Sequence, residues 1–293
     1  MDTAALIAYI RKASSPLPVL ETGETARLDP SGEIGSVVFD IYGTLLISGS
    51  GDISLARSEN RTPALVEALC EAGYSVPGSP DWDASRDLLA QVEEHRRERA
   101  GTGVTFPEVR IEEVWADFLK EACAAGHVAG EGDLPLAIIA YECRVNPCWP
   151  MPALEEILAA LADRGLPLGI VSNAQFYTPL YFPALTGKTL PEWTFREPLS
   201  IWSYRERMGK PSTKLYQRLA HNLLQFGIEP ARTLYIGNDL LNDVLPARET
   251  GFQTALFAGD ARSLRWRRED PRCHKIQPNN VLTRLDQVLQ LLS

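Results

Sequence analysis

Four places in the sequence carry residues that could do chemistry together: Asp40 with Tyr42 and Thr44, the pair Ser172-Asn173, Lys210, and Asp239 with Asp243. An ionised carboxylate can attack an electrophilic carbon or phosphorus and hold it as an ester, splitting one difficult displacement into two easier ones. A lysine beside it balances charge, while hydroxyl and amide donors hold the oxygens of the substrate. Carboxylates a few residues apart, with a backbone carbonyl, also make an oxygen site for Mg²⁺, which keeps several of its waters. Each cluster has a plainer reading. Asp40 could cap a turn, Ser172-Asn173 could start a helix, Lys210 could end a loop, and Asp239 and Asp243 could be a solvated turn. Lys214 is a rival to Lys210, and Asn238 and Asn242 read as turn residues.

The elements around these clusters make the plainer readings harder to hold. The run Ser36-Val37-Val38-Phe39 is short, β-branched and aromatic, so it predicts a buried strand that delivers Asp40 to its carboxyl end. Further strands are expected at 168–171, 199–202, 233–236 and 253–257, separated by helical patterns at 152–164, 213–226 and 242–250. Strands alternating with helices of this length predict βαβ units: an α/β protein with a doubly wound, Rossmann-like parallel sheet. In such sheets ligands bind at the carboxyl edge, which is where all four clusters fall. Gly237, directly after the strand at 233–236, suggests close backbone approach to a neighbour.

Between 48 and 147 the pattern changes. After the Gly/Ser stretch 48–51 the apolar residues recur every three or four positions, as in Val114, Trp115, Phe118, Leu119 and Ala122, which predicts a small helical insertion without strands of its own. The stripe holding Trp115 is a core stripe rather than a cofactor box. The segment 105–110 reads as the start of a helix, with Pro107 as ordinary punctuation. The domain plan is therefore an N-terminal extension over 1–33, opening with a helix at 4–12, a core over 34–47 and 148–293, and the helical insertion over 48–147. The polar, Pro- and Gly-containing remainder of the extension is expected to lie across the surface, at a partner contact.

Whole-chain properties narrow the function classes. The 293 residues carry a net charge of −9, so no basic excess exists to neutralise nucleic-acid phosphates. The one basic cluster, Arg262, Arg265, Arg267 and Arg268, sits beside Glu269 and Asp270 and reads as a solvated loop. Cys70, Cys123, Cys143, Cys148 and Cys273 are odd in number and unpaired in spacing, which fits reduced thiols in a cytoplasm. No apolar run reaches the roughly 18 residues of a membrane span, and no basic segment followed by an apolar one marks a signal peptide. A soluble cytoplasmic protein acting on a small molecule is expected, with neither nucleic acid nor membrane as partner.

The four clusters, in this order over about residues 36–260, resemble the signature segments of the haloacid dehalogenase (HAD) superfamily, and the insertion falls where that family places a helical cap. The resemblance implies a hydrolase with Asp40 as nucleophile. It also implies Mg²⁺ held by Asp40, the Tyr42 carbonyl and Asp239. Ser172 and Asn173 would hold the substrate's phosphoryl oxygens, with Thr44 and Tyr42 beside the substrate. Lys210, followed by proline as in the family, would pair with the nucleophile, and Asp243 would orient Lys210 or the metal's water.

One position departs from the family's phosphatases. They carry a second aspartate two residues after the nucleophile as acid and base, and here Tyr42, with an ordinary pKa of about 10, stands in that place. Tyrosine there is typical of the L-2-haloacid dehalogenases, in which the nucleophile attacks carbon and halide leaves without a proton; Tyr216, six residues after Lys210, also matches. Those enzymes need an arginine for the substrate carboxylate, for which Arg57, Arg61 and Arg86 are available. Arg96, Arg97, Arg110 and Tyr141 are further residues of the insertion that could face a substrate. Asp239 and Asp243 have the spacing of metal-dependent members, and a second carboxylate packed near Asp40 and Asp243 is costly without a cation. The sequence therefore favours Mg²⁺-dependent hydrolysis of a phosphorylated small molecule, with carbon–halide hydrolysis as the alternative and a non-catalytic binding protein on the same scaffold as a third reading.

Overall fold

The computed structural model describes residues 1–30, 32–50, 60–77 and 81–292, so Gly51 and Arg57 lie outside the described residues. Strands β1 (Ser36–Phe39), β4 (Leu168–Ser172), β5 (Phe195–Trp202), β6 (Thr233–Gly237), β7 (Gln253–Phe257) and β8 (Asn280–Leu282) form one parallel sheet of six strands in the order β5-β4-β1-β6-β7-β8. Every residue of β1, β4 and β6 is buried, as continuous apolar runs in a sheet covered on both faces must be. Gly169 in β4 lets the backbones close up, since a Cβ there would sit 2.6 Å from the Leu199 carbonyl oxygen. With β1 central, Asp40, Ser172 and Gly237 leave the same edge of the sheet, because Phe39 pairs with both Ile170 and Ile236.

Helices cover the sheet. They are α1 (Thr3–Ala13), α6 (Leu154–Asp163), α7 (Tyr181–Leu185), α8 (Ser203–Glu206), α9 (Thr213–Gln225) and α10 (Leu245–Glu249), which follows directly on a π-helical turn at Leu240–Val244. In α9 the buried residues Leu215, Tyr216, Leu219, Ala220 and Leu223 form a single stripe. The insertion contains α2 (Thr62–Glu71), α3 (Ala84–Ala100), α4 (Ile111–Ala124) and α5 (Leu134–Val145). Trp115 is 1 % exposed within the core, as its spacing predicts.

Several features depart from the sequence reading. A two-stranded antiparallel ribbon, β2 (Leu46–Ser48) with β3 (Cys148–Pro150), pairs Ser48 with Cys148 and brings the two ends of the insertion side by side. Within the insertion Ser75 forms an isolated bridge to Ala129. The segment 105–110 is not helical: α4 begins at Ile111, and Pro107 instead bridges to Met208. The N-terminal extension has the expected opening helix and surface course, and it is also tied down within the chain. Leu6 and Ile10 of α1 are buried, Arg11 donates to the Pro183 and Ala184 carbonyls, and Arg27 exchanges backbone hydrogen bonds with Val281. Among the described residues no helix is long and apolar enough to cross a membrane, and all five cysteines are free thiols.

Candidate active site

Asp40 follows β1, and its backbone N–H donates to the Ile236 carbonyl at 2.9 Å, which extends the ladder one residue into the site. Lys210 Nζ stands 2.7 Å from Asp40 Oδ1 and 2.7 Å from Asp243 Oδ1. The side chains of Asp40, Lys210 and Asp243 are 8 %, 4 % and 1 % exposed, so these charges are seen through protein rather than water. Asp243 Oδ1 also accepts from the Tyr235 hydroxyl at 2.9 Å, and Oδ2 accepts from the Asp239 N–H at 3.0 Å. Gly237 makes this possible: a Cβ there would lie 2.3 Å from the carboxyl carbon of Asp243.

Electrostatics follow from that packing. Burial pushes the Asp243 carboxyl up to about 6, with Lys210 pulling it down and the charge on Asp40 adding to the rise. Burial acts to lower the pKa of the Lys210 ammonium, but Asp243 and Asp40 overcome it and hold the group charged.

The remaining expected residues take different places. Asn173 Oδ1 accepts from the Lys210 backbone N–H at 2.8 Å, so its side chain holds the lysine loop against the end of β4. Among the described residues the buried Ser172 Oγ has no hydrogen-bond partner. Thr44 Oγ1 donates to Asn238 Oδ1 at 3.2 Å, and Asn238 Nδ2 donates to the Ser263 carbonyl at 2.6 Å, so Asn238 is a clip between three loops rather than a simple turn residue. Gly43 sits at φ +82° in that clip, where a Cβ would lie 2.4 Å from Ser263 Cβ. The partly buried Tyr42 has its hydroxyl 2.9 Å from Thr178 Oγ1, and burial pushes its pKa well above the ordinary value. It is a poor proton donor to a leaving group. Tyr216 donates to the Asn242 carbonyl at 2.7 Å and so supports the loop that carries Asp243.

Asp239, the expected third metal ligand, is engaged by groups of the protein itself. Its Oδ1 accepts from the backbone N–H groups of Leu241 at 2.9 Å and Asn242 at 3.2 Å, capping the turn that follows. Its Oδ2 accepts from Asn242 Nδ2 at 3.0 Å and from Arg267 Nη2 at 2.6 Å, with Arg267 Nε 3.1 Å away. Arg267 holds a left-handed backbone, φ 51°, which costs a non-glycine residue roughly 1–2 kcal/mol and here accompanies this paired contact. The basic cluster is accordingly not a solvated loop. Arg262 pairs with the buried Asp260 at 2.6 Å, and the Arg265 backbone exchanges hydrogen bonds with Asn238 and Leu240. The signal missed in the sequence was a cation for Asp239 that arrives from 28 residues along the chain.

These contacts decide how Mg²⁺ would fit. Asp239 is saturated by a cap and a guanidinium, both ends of the Asn238 amide are engaged, and Asp40 and Asp243 share one ammonium. Among the described residues no three His, Cys, Asp or Glu side chains form a group that could hold a metal. Of the expected set of Asp40, the Tyr42 carbonyl and Asp239, Asp239 would have to exchange Arg267 for the ion in order to hold a divalent cation. The charge that a second acid requires is supplied by Arg267.

The insertion's arginines are mostly engaged at the surface. Arg86 pairs with Asp87 at 3.3 Å, Arg96 with Glu93 at 3.3 Å and Arg110 with Glu113 at 3.8 Å, while Arg97 pairs with Glu94. Tyr141 packs its ring 5.7 Å from that of Trp115 and hydrogen-bonds Arg61.

Comparison with known proteins agrees with this geometry at the level of the family. Residues 34–251 match the family model of the haloacid dehalogenase-like hydrolases. Among solved structures the chain is similar to the L-2-haloacid dehalogenase RSc1362, with TM-score 0.51 and 22 % identity over 89 % of this chain and 99 % of that one. It is also similar to a HAD phosphatase from Thermococcus onnurineus, with TM-score 0.53 and 19 % identity over 89 % of this chain and 98 % of that one. No curated protein matches. A parallel sheet with an aspartate, a lysine and a second aspartate converging at its carboxyl edge, in a chain matched by the family model over most of its length, makes this protein a member of the haloacid dehalogenase-like hydrolases.

Proposed function

We propose that the protein hydrolyses a small molecule through an ester formed on Asp40, displacing from carbon a leaving group that needs no proton, as a halide does. The observation that carries this reading is the charge arrangement. Asp40 and Asp243 share one ammonium, Arg267 pairs with Asp239, and Tyr42 is tied to Thr178 rather than free to deliver a proton. In the first step an Asp40 oxygen forms a bond to the carbon and the halide leaves with its electron pair. Water then cleaves the ester, which restores the carboxylate and releases an alcohol and a proton to solvent. Lys210 holds Asp40 in place through both steps.

The sequence spacing favours a phosphate monoester with Mg²⁺ instead, and one observation supports that second reading. The buried Ser172 Oγ, without a hydrogen-bond partner among the described residues, is a donor suited to a phosphoryl oxygen, though it suits a carboxylate equally. Against it, a dianion beside Asp40 and Asp243 needs more positive charge than Lys210 alone provides.

Halide release from 2-chloropropionate and phosphate release from an activated aryl phosphate, each with Mg²⁺ or EDTA, separate the two. Halide release that ignores EDTA and disappears in Asp40→Asn is expected. Phosphate release that needs Mg²⁺ would transfer the assignment to the second reading. Neither activity from a folded protein would leave a binding protein on this scaffold.

A further inference from the structure

The residues joining α3 to α4 run extended across the core as a strap. The Phe106 carbonyl accepts from Gly209 N–H at 2.8 Å, Pro107 bridges to Met208, and Glu108 N–H donates to the Arg207 carbonyl at 3.3 Å. Three residues further on, the side-chain amide of Gln175 takes up the strap from the other side. Its Nε2 donates to the Val109 carbonyl at 3.0 Å and its Oε1 accepts from Ile111 N–H at 3.0 Å. Glu108 turns inward, where its Oε2 accepts from Ser203 Oγ at 3.0 Å, and that same Oγ accepts from the Ala174 N–H at 3.0 Å.

The places touched are not arbitrary. Gly209 precedes Lys210, and Ala174 and Gln175 follow Asn173, so the strap grips both loops that carry the site. Beneath it the two loops are joined to each other by the Lys210 N–H and Asn173 Oδ1. The insertion's covalent connections to the core run through the β2–β3 ribbon, where its two ends lie together. The strap is thus its hydrogen-bonded seat on the site.

We propose that Gln175 and Glu108 are positioning residues of a latch, which holds the Asn173 and Lys210 loops in register with Asp40 only while the 106–111 strap is docked. The half-buried Glu108 carboxylate has a hydroxyl and a backbone N–H as its hydrogen-bond partners, and leaving them in this setting would cost it both. Burial raises its pKa, with the Val109 N–H and then Arg96 opposing the rise. The consequence for turnover rests on the Asp40 reading above, whereas the coupling between strap and loops does not.

Backbone hydrogen exchange of the full chain tests the coupling without a substrate. Gln175→Ala is expected to speed exchange at Ile111 and, in parallel, at Gly209 and Lys210 by about tenfold, the scale of one or two lost hydrogen bonds. The strands β6 and β7 should be unaffected. Glu108→Ala should do the same, and Glu108→Gln, which keeps an acceptor for Ser203, should restore slow exchange. Faster exchange confined to 109–111, with Gly209 and Lys210 unchanged in every variant, would overturn the latch. In the halide or phosphate assay the Ala variants should lose kcat with little change in KM; unchanged kcat alongside loosened loops would equally sink the positioning role. Absence of turnover in the parent protein would instead count against the Asp40 reading and leave the exchange result to decide the latch.

Discussion

Asp243 is the residue on which the proposed chemistry is most sensitive to pH. Its carboxyl, pushed up to about 6 by burial, must be ionised to share Lys210 with Asp40. As pH falls through that value the anion is lost and Lys210 is left with Asp40 alone, so kcat/KM is expected to decline below about pH 6. In Asp243→Asn this limb should disappear along with most of the activity; an unchanged acid limb in that variant would assign the ionisation elsewhere. Tyr42 gives the opposite expectation. Its hydroxyl contacts Thr178, so Tyr42→Phe should cost about 1 kcal/mol in urea unfolding and leave kcat within about twofold. A large fall in kcat would make it a proton donor after all. At this scale Asp40, Lys210 and Asp243 were legible in the sequence because each follows a recognisable strand or loop in order. The pairing of Asp239 with Arg267 was not legible, since nothing local ties an arginine in a charge-mixed stretch to an acid on another loop.

Elements were legible where their length lets a period declare itself, as in β1, β4, β6, β7 and α9. They were not where three residues suffice: β2, β3 and β8 are too short to alternate visibly, and their partners are distant in sequence. The 105–110 segment failed for another reason. Its proline resembles a helix start, but its backbone partners belong to the Arg207–Gly209 stretch, so tertiary pairing overrode a local signal. The junction of β6 with the turn after it carries its own prediction. Gly237→Ala would drive a methyl group into the Asp243 carboxylate, which has no room to yield between Lys210, Tyr235 and the Asp239 N–H. We expect Gly237→Ala to lower activity at least about 100-fold, the scale at which an angstrom of misplacement acts, while circular dichroism reports an intact fold. Activity near that of the parent would mean that the Asp243–Lys210 contact is dispensable.

The molecule as a whole depends on a brace that the sequence suggested only as a surface strap. Helix α1 buries Leu6 and Ile10, packs against α5 of the insertion and α7 of the core, and is pinned by Arg11 to the carbonyls at the end of α7. The chain after it reaches the far edge of the sheet, where Arg27 pairs with Val281 of the edge strand β8. One segment therefore bridges insertion and core, and its removal should uncouple them. Ile10→Ala, at a side chain with no exposure, should destabilise by about 2–5 kcal/mol through lost burial and the cavity left behind. Deleting residues 1–30 should go further and split a single thermal transition into two, with the insertion melting first, because the β2–β3 ribbon and the 106–111 strap would then be its main ties to the sheet. If the extension served only a partner contact, the truncated protein would melt in one transition at the parent's temperature. Two transitions would establish that the ordering of the site by the cap is a property of the whole chain, beginning at its first helix.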